Sequence, residues 1–263
     1  MYPLALFLSL LIGVSLGLLG GGGSILTTPI LIYALGVETR AAIATSLLVV
    51  GVTSLAGMIG HARSGNVIWR VGLLFGAAGM VGAWLGGRLA ALIPAETLMI
   101  LFAGMMLATS VAMFRGRRDG GAQVVAPAWK VVVEGVVIGI VTGLVGAGGG
   151  FLVVPALTLL GGLPMPHAIG TSLLVIAMKS FAGFSGHAAS VSIDWRLAAM
   201  VTAAAVVGSL IGGQLTRLVA PDTLRRGFAA FVLVMSAFVF YQQLRPSVVA
   251  SSAAPTPEVT HVP

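Results

Sequence analysis

The sequence predicts an all-α polytopic membrane protein made of two homologous halves, with helices broken by glycine. Three observations carry that expectation. First, 58% of the 263 residues are hydrophobic and only 8% are charged, with a mean hydropathy of +1.08. Seven acidic and fourteen basic side chains are too few to cover the surface of a water-soluble domain of this size. Lipid removes that requirement. Second, the apolar residues fall into long segments separated by short polar ones. Third, the segments occur twice.

The first set of apolar segments runs over 3–35, 41–60, 71–93 and 97–114; the second over 131–161, 168–187, 197–219 and 223–241. This divides the chain into a first membrane repeat (1–114), a polar linker (115–129), a second membrane repeat (130–245) and a tail (246–263). The linker carries Arg115, Arg117, Arg118 and Asp119. The Ser/Pro/Ala-rich tail has too little apolar content to build a core and is expected to be disordered. A shift of 126 residues aligns the halves without gaps: GLLGGGGSILTTP from Gly17 falls on GLVGAGGGFLVVP from Gly143, and GHARSGNVIWR from Gly60 on GHAASVSIDWR from Gly186. Across 42–62 and 168–188, 13 of 21 positions are identical. Similar Leu/Ala/Gly composition does not put His, Thr-Ser, Pro and Trp-Arg in one register, so the match reads as an internal duplication.

The first segment of each half is too long for one crossing. Thirty-three residues (3–35) make a helix of ~50 Å, against a hydrocarbon thickness of ~30 Å. Glycine runs interrupt both segments, at Gly20–Gly23 and Gly146–Gly150. Such runs break helices, so each segment is read as two helical pieces. Two crossings per long segment give five spans per half, and an odd number makes the repeats inverted. That arrangement puts nine basic residues on one side and four on the other, against eight and five for four spans per half. The positive-inside rule favours the larger asymmetry, with the linker cytoplasmic and both termini outside; a re-entrant break remains the alternative. The apolar stretch from Pro3 has no basic residues before it and reads as a first helix rather than a signal peptide.

Several polar groups within this apolar background bear on function. A glycine break that opens a new helix exposes unpaired backbone N–H groups, which together with the helix dipole favour an anion. Matching breaks in two repeats point to a transporter's substrate site, although glycines also serve close helix packing. Candidate substrate contacts are therefore Gly21, Gly22, Gly23 and Ser24 in the first half and Gly148, Gly149 and Gly150 in the second. Thr45, Ser46, Thr171 and Ser172 join them, because hydroxyls in membrane helices donate to a buried anion or bond back to their own helix. Thr27 and Thr28 become Val153 and Val154, so any part they play is one-sided. Lys179 lies mid-segment, where an ammonium is costly and marks function, unless it snorkels or faces a hydrated groove; its counterpart in the first half is Thr53. His61 and His187 occupy equivalent positions. They read either as interfacial residues beside the belt tryptophans Trp69 and Trp195 or as proton-linked groups.

Other readings lack their parts. Arg88 is expected to snorkel, Glu134 to pair with Lys130 one turn away, and Gly82/Gly86 and Gly208/Gly212 to mark close helix contacts. There are no cysteines, no carboxylate dyad, no G-x-S-x-G elbow and no H-E-x-x-H pair, so neither an enzyme nor a metal or other cofactor is expected. The basic residues lie between apolar runs and form no face for nucleic acid.

The glycine break followed by Pro, the A-x-x-TS segment, the G-H-x-x-x-x-x-x-x-W stretch and their tandem duplication together resemble the TauE/SafE family of membrane permeases. The resemblance covers about residues 3–241. It implies a multi-pass permease of the bacterial inner membrane, with relatives linked to movement of sulfite, sulfoacetate and other organosulfonates. The glycine and Thr-Ser motifs carry over to Gly20–Ser24, Thr45-Ser46, Gly146–Gly150 and Thr171-Ser172; Lys179 falls on no general family motif. The expectation is a secondary transporter of a small anion embedded in the lipid bilayer, with a homodimer as the scaffold for movement. An anion channel, or a permease for an unrelated small solute, is the alternative.

Overall fold

A computed structural model describes residues 2–21, 23–90, 92–115, 127–145, 150–187 and 191–244. All regular structure among them is helical. In chain order the elements are α1 (Tyr2–Leu19), α2 (Gly23–Pro29), α3 (Thr39–Arg63), α4 (Trp69–Ala90), α5 (Ala95–Arg115), α6 (Ala128–Val145), α7 (Gly150–Pro155), α8 (Met165–His187), α9 (Trp195–Leu215) and α10 (Pro221–Leu244). The chain is a multi-pass helical membrane protein. Among the described residues, five helices, α3, α4, α8, α9 and α10, are long and apolar enough to cross a bilayer. Large apolar side chains such as Trp84, Val81, Ile100 and Val133 stand on the outside of the bundle, where lipid is their solvent.

The first glycine break falls where the sequence places it; around the second, α6 ends at Val145 and α7 begins at Gly150, and 146–149 lie outside the described residues. α1 ends at Leu19, and Gly20 takes the left-handed conformation (φ 70°) that closes a helix with least strain on a residue lacking Cβ. The chain then turns back on itself. A Cβ added at Gly23 would lie 2.6 Å from both the Ile12 carbonyl oxygen and the Leu16 side chain. In a continuous helix those eleven residues would separate Gly23 from Ile12 by ~16 Å. The second piece is therefore a short return limb. Its α-helical part ends at Pro29, and Ile30–Ala34 form a π-helical turn, closed by Leu35 N–H donating to the Ile30 carbonyl at 3.2 Å. The second half repeats this: Pro155 ends α7, and Ala156–Leu160 form a π turn in which Gly161 N–H donates to Ala156 at 2.9 Å. In both limbs the proline stands at the junction between the α-helical piece and the π turn. The first return limb has twelve residues, seven in α2 and five in the π turn. At ~18 Å it is shorter than the hydrocarbon core. The expected second crossing is thus a short limb beside α1.

The halves interlock. α1 packs on α9 and α4 on α6, so the first helix of each half lies against the fourth helix of the other. Glycines make both contacts. Added Cβ atoms would meet backbone of Ala205 at Gly13, of Ser209 at Gly17, of Gly79 at Gly139 and of Ala83 at Gly143. The second pair of contacts is the first displaced by 126 residues along the chain, with the partners' roles exchanged. Apolar helices gain little from the hydrophobic effect inside lipid, so close backbone approach and van der Waals contact hold them together. Gly82, Gly86, Gly208 and Gly212 lie in these same seams, as the spacing predicts.

At the centre α3 packs antiparallel on α8: Gly51 meets Phe181, Gly57 meets Leu173, and Gly183 meets Leu47. α5 and α10 pair likewise. Ser110 donates to the Ala229 carbonyl at 2.8 Å and Ser236 to the Ala103 carbonyl at 2.9 Å. These two bonds are again the same contact displaced by 126 residues.

Candidate functional site

The return limbs meet inside the bundle. A Cβ added at Gly21 would overlap the Gly150 carbonyl and lie 2.8 Å from Phe151 N. One added at Gly150 would lie 2.6 Å from Ser24 Oγ and 3.2 Å from Ile176. At Gly20 the nearest atom to such a Cβ is Ser172 Oγ, at 2.7 Å. Only glycine lets the two backbones approach this closely. The tips of the two broken segments, separated by more than a hundred residues in sequence, thus cross beside α8.

α8 serves both tips from one face. Ser172, Ile176 and Lys179 are spaced by four and three residues, so they form one stripe. Ser172 faces the first break and Ile176 the second. Lys179 Nζ donates to Thr142 Oγ1 at 2.8 Å, and Thr142, one turn before the end of α6, donates to the Gly139 carbonyl at 3.0 Å. The ammonium is thereby held against α6. Thr142 carries no signal in the sequence, since its counterpart is Leu16; only proximity identifies it.

The other predicted residues divide. Ser46 accepts a hydrogen bond from Thr28 at 2.9 Å, tying the first return limb to α3. Ser24 and Ser172 donate to carbonyls three residues back, at 2.7 and 2.8 Å. That is the back-bonded arrangement, and it leaves the lone pairs and rotamer of each free to change. Thr171 does something else: its Oγ1 accepts from Ile68 N–H at 3.0 Å and so secures the turn between α3 and α4. Thr45 is buried in α3, with no hydrogen bond to either break among the described residues. Gly22, Gly148 and Gly149 lie outside the described residues, as does the side chain of His187.

His61 packs inside the bundle. It is 3% exposed, and its Nε2 lies 3.2 Å from the Gly17 carbonyl, while Trp69 is half exposed. Thr216 Oγ1 lies 3.2 Å from the same oxygen, and Arg217 donates to the Gly60 carbonyl at 3.1 Å. The reason is structural. The glycine break orphans the last carbonyls of α1, and buried orphans need partners. Residues of α3 and of the α9 terminus supply them. Arg88 stacks over the Trp84 ring at 4.5 Å. Glu134 pairs with Lys130 at 3.7 Å, as its spacing predicts.

An interlocked helical membrane bundle whose two broken segments cross at its centre has the architecture of a transporter. The chain matches the family described as Sulfite exporter TauE/SafE over residues 5–239. It is 35% identical over 244 residues to a "Probable membrane transporter protein" of Xylella fastidiosa, covering 88% of this chain and 92% of that one. It is 27% identical to the "Probable membrane transporter protein YdhB" of Bacillus subtilis, covering 82% and 90%. A third relative, MJ0441 of Methanocaldococcus jannaschii, is 25% identical, covering 90% and 94%. The chain belongs to the TauE/SafE family and is a membrane transporter; that family is a class of transporters and not of enzymes.

Proposed function

We propose that this protein is a secondary transporter of a small anion, sulfite or an organosulfonate, in the bacterial inner membrane. The observation that carries the proposal is the crossing of the two glycine-broken segments at Gly21 and Gly150, with Ser24 and Ser172 beside them and Lys179 farther along the same face of α8. Hydroxyls, backbone N–H groups at a break and one ammonium are donors suited to a tetrahedral or pyramidal oxyanion. No ATP-binding motif occurs in the sequence, so an ion or solute gradient supplies the energy. The antiparallel α3–α8 pair and the contacts that recur at a 126-residue displacement support an inverted relationship between the halves. Two such halves can exchange conformations, so that the site faces each side of the membrane in turn. A homodimer would hold one part of the bundle still while the other moves.

The test is flux of labelled sulfite and methanesulfonate into proteoliposomes. Saturable uptake is expected for the wild type. Gly150→Leu should abolish it, because the new side chain meets Ser24 and Ile176. Gly104→Leu should retain it, because nothing lies within 4 Å of an added Cβ there. Absence of flux for any small anion by folded protein, or full flux by Gly150→Leu, would refute the proposal.

A further inference from the structure

Lys179 stands out in the charge inventory of the bundle. Its amine is held between α4, α6 and α8 by the hydrogen bond to Thr142, and Gly79 of α4 packs near its aliphatic stem. An ammonium offers three donors, and one is used. No carboxylate lies within ion-pair distance of it among the described residues. The acids are engaged or distant: Glu38 accepts from Ala41 N–H, Glu134 pairs with Lys130, Asp194 caps α9 and Asp222 pairs with Arg225. Glu96 sits in the first turn of α5, and Asp119 and Glu258 lie outside the described residues. The equivalent position in the other half brings no second charge. It is Thr53, which is fully buried, and its Oγ1 has no hydrogen-bond partner; nor has the neighbouring Ser54 Oγ.

Resting on the anion-transport reading, we infer that Lys179 sets the charge of the transported solute at minus one. A partly buried cation inside a membrane bundle, without a counter-ion among the described residues, is costly, and a bound anion relieves that cost. One negative charge neutralises the site. A second would be a charge without a cation to pair it, and hydroxyls such as Thr142 satisfy hydrogen bonds but do not cancel a full charge. The site therefore favours monoanions such as alkylsulfonates over dianions of similar size and shape. Thr142 is the positioning residue that holds the ammonium on the α6 side of the bundle.

The experiment compares methanesulfonate with sulfate, which are nearly isosteric and differ by one charge, in proteoliposomes holding wild type, Lys179→Met or Lys179→Arg. For the wild type, KM for methanesulfonate is expected to be lower than for sulfate by about tenfold or more. Lys179→Arg should keep that ratio, and Lys179→Met should collapse it chiefly by raising KM for methanesulfonate. If Lys179→Met does not fold, the wild-type and Lys179→Arg ratios decide. Wild-type transport of both anions with equal KM, or an unchanged ratio in Lys179→Met, would overturn the inference and leave the anion transporter standing. Absence of flux for either anion in the wild type would overturn both.

Discussion

The crossing of the return limbs makes a quantitative demand on Gly21. Replacing it by alanine adds one methyl group, and that methyl would overlap the Gly150 carbonyl and lie 2.8 Å from Phe151 N. Both obstacles are backbone, so no rotamer change relieves the overlap; one limb has to move. Overpacking of a tight interior costs ~1–3 kcal/mol, and a backbone obstacle puts this site at the upper end, about 3 kcal/mol. The same change elsewhere has the opposite sign. Gly104 and Gly227 lie in α5 and α10, and nothing falls within 4 Å of a Cβ added to either. There alanine improves helix propensity by up to ~1 kcal/mol. Reversible unfolding in mixed micelles would measure the three variants against wild type, and sulfonate flux would report on the site. The expected order of stability is Gly104→Ala and Gly227→Ala at or above wild type, with Gly21→Ala well below and defective in flux. A Gly21→Ala protein as stable and as active as wild type would refute the idea that the two limbs touch through their glycines.

Other contacts give tests of the same kind. Thr171→Val leaves the Ile68 N–H without its acceptor and should cost ~1–3 kcal/mol in the same unfolding assay, whereas Thr171→Ser should recover most of it. His61→Phe removes a partner of the Gly17 carbonyl and should destabilise the protein by a similar amount, while His61→Gln keeps a donor and should be milder; protection of the α1 end in hydrogen exchange checks whether the effect is local. Ser110→Ala and Ser236→Ala should each cost ~0.6 kcal/mol, the typical worth of a side-chain bond between membrane helices. Their carbonyl acceptors are seven residues from the other serine's position on each helix, so the double variant should show a nearly additive loss; strong coupling between them would count against two independent bonds.

Much of this molecule is legible along the chain. Composition dictates the membrane, because no aqueous surface can be built from so few charges. The segment lengths and glycine runs predict where the long segments break, and the structure breaks the first at Gly20, because lack of a Cβ is a local property that acts wherever the residue stands. Gly82-x-x-x-Gly86 predicts a close contact for the same reason, and Glu134 finds Lys130 because one helical turn fixes their separation. What the chain does not reveal is what each helix touches. The central helices are apolar on nearly every side, so no polar stripe marks an outer face and no pattern names a neighbour. That Thr142 receives the Lys179 ammonium, that His61 serves the end of α1, that Thr171 holds a turn and that Gly21 lies on Gly150 are all consequences of how the helices pack. Sequence by itself determined the membrane class and where the first long segment breaks, since those follow from composition and local chemistry. The tertiary structure alone decided which return limb meets which and what anchors the Lys179 ammonium, because contacts between residues far apart in the chain are fixed by packing that no short window of sequence contains.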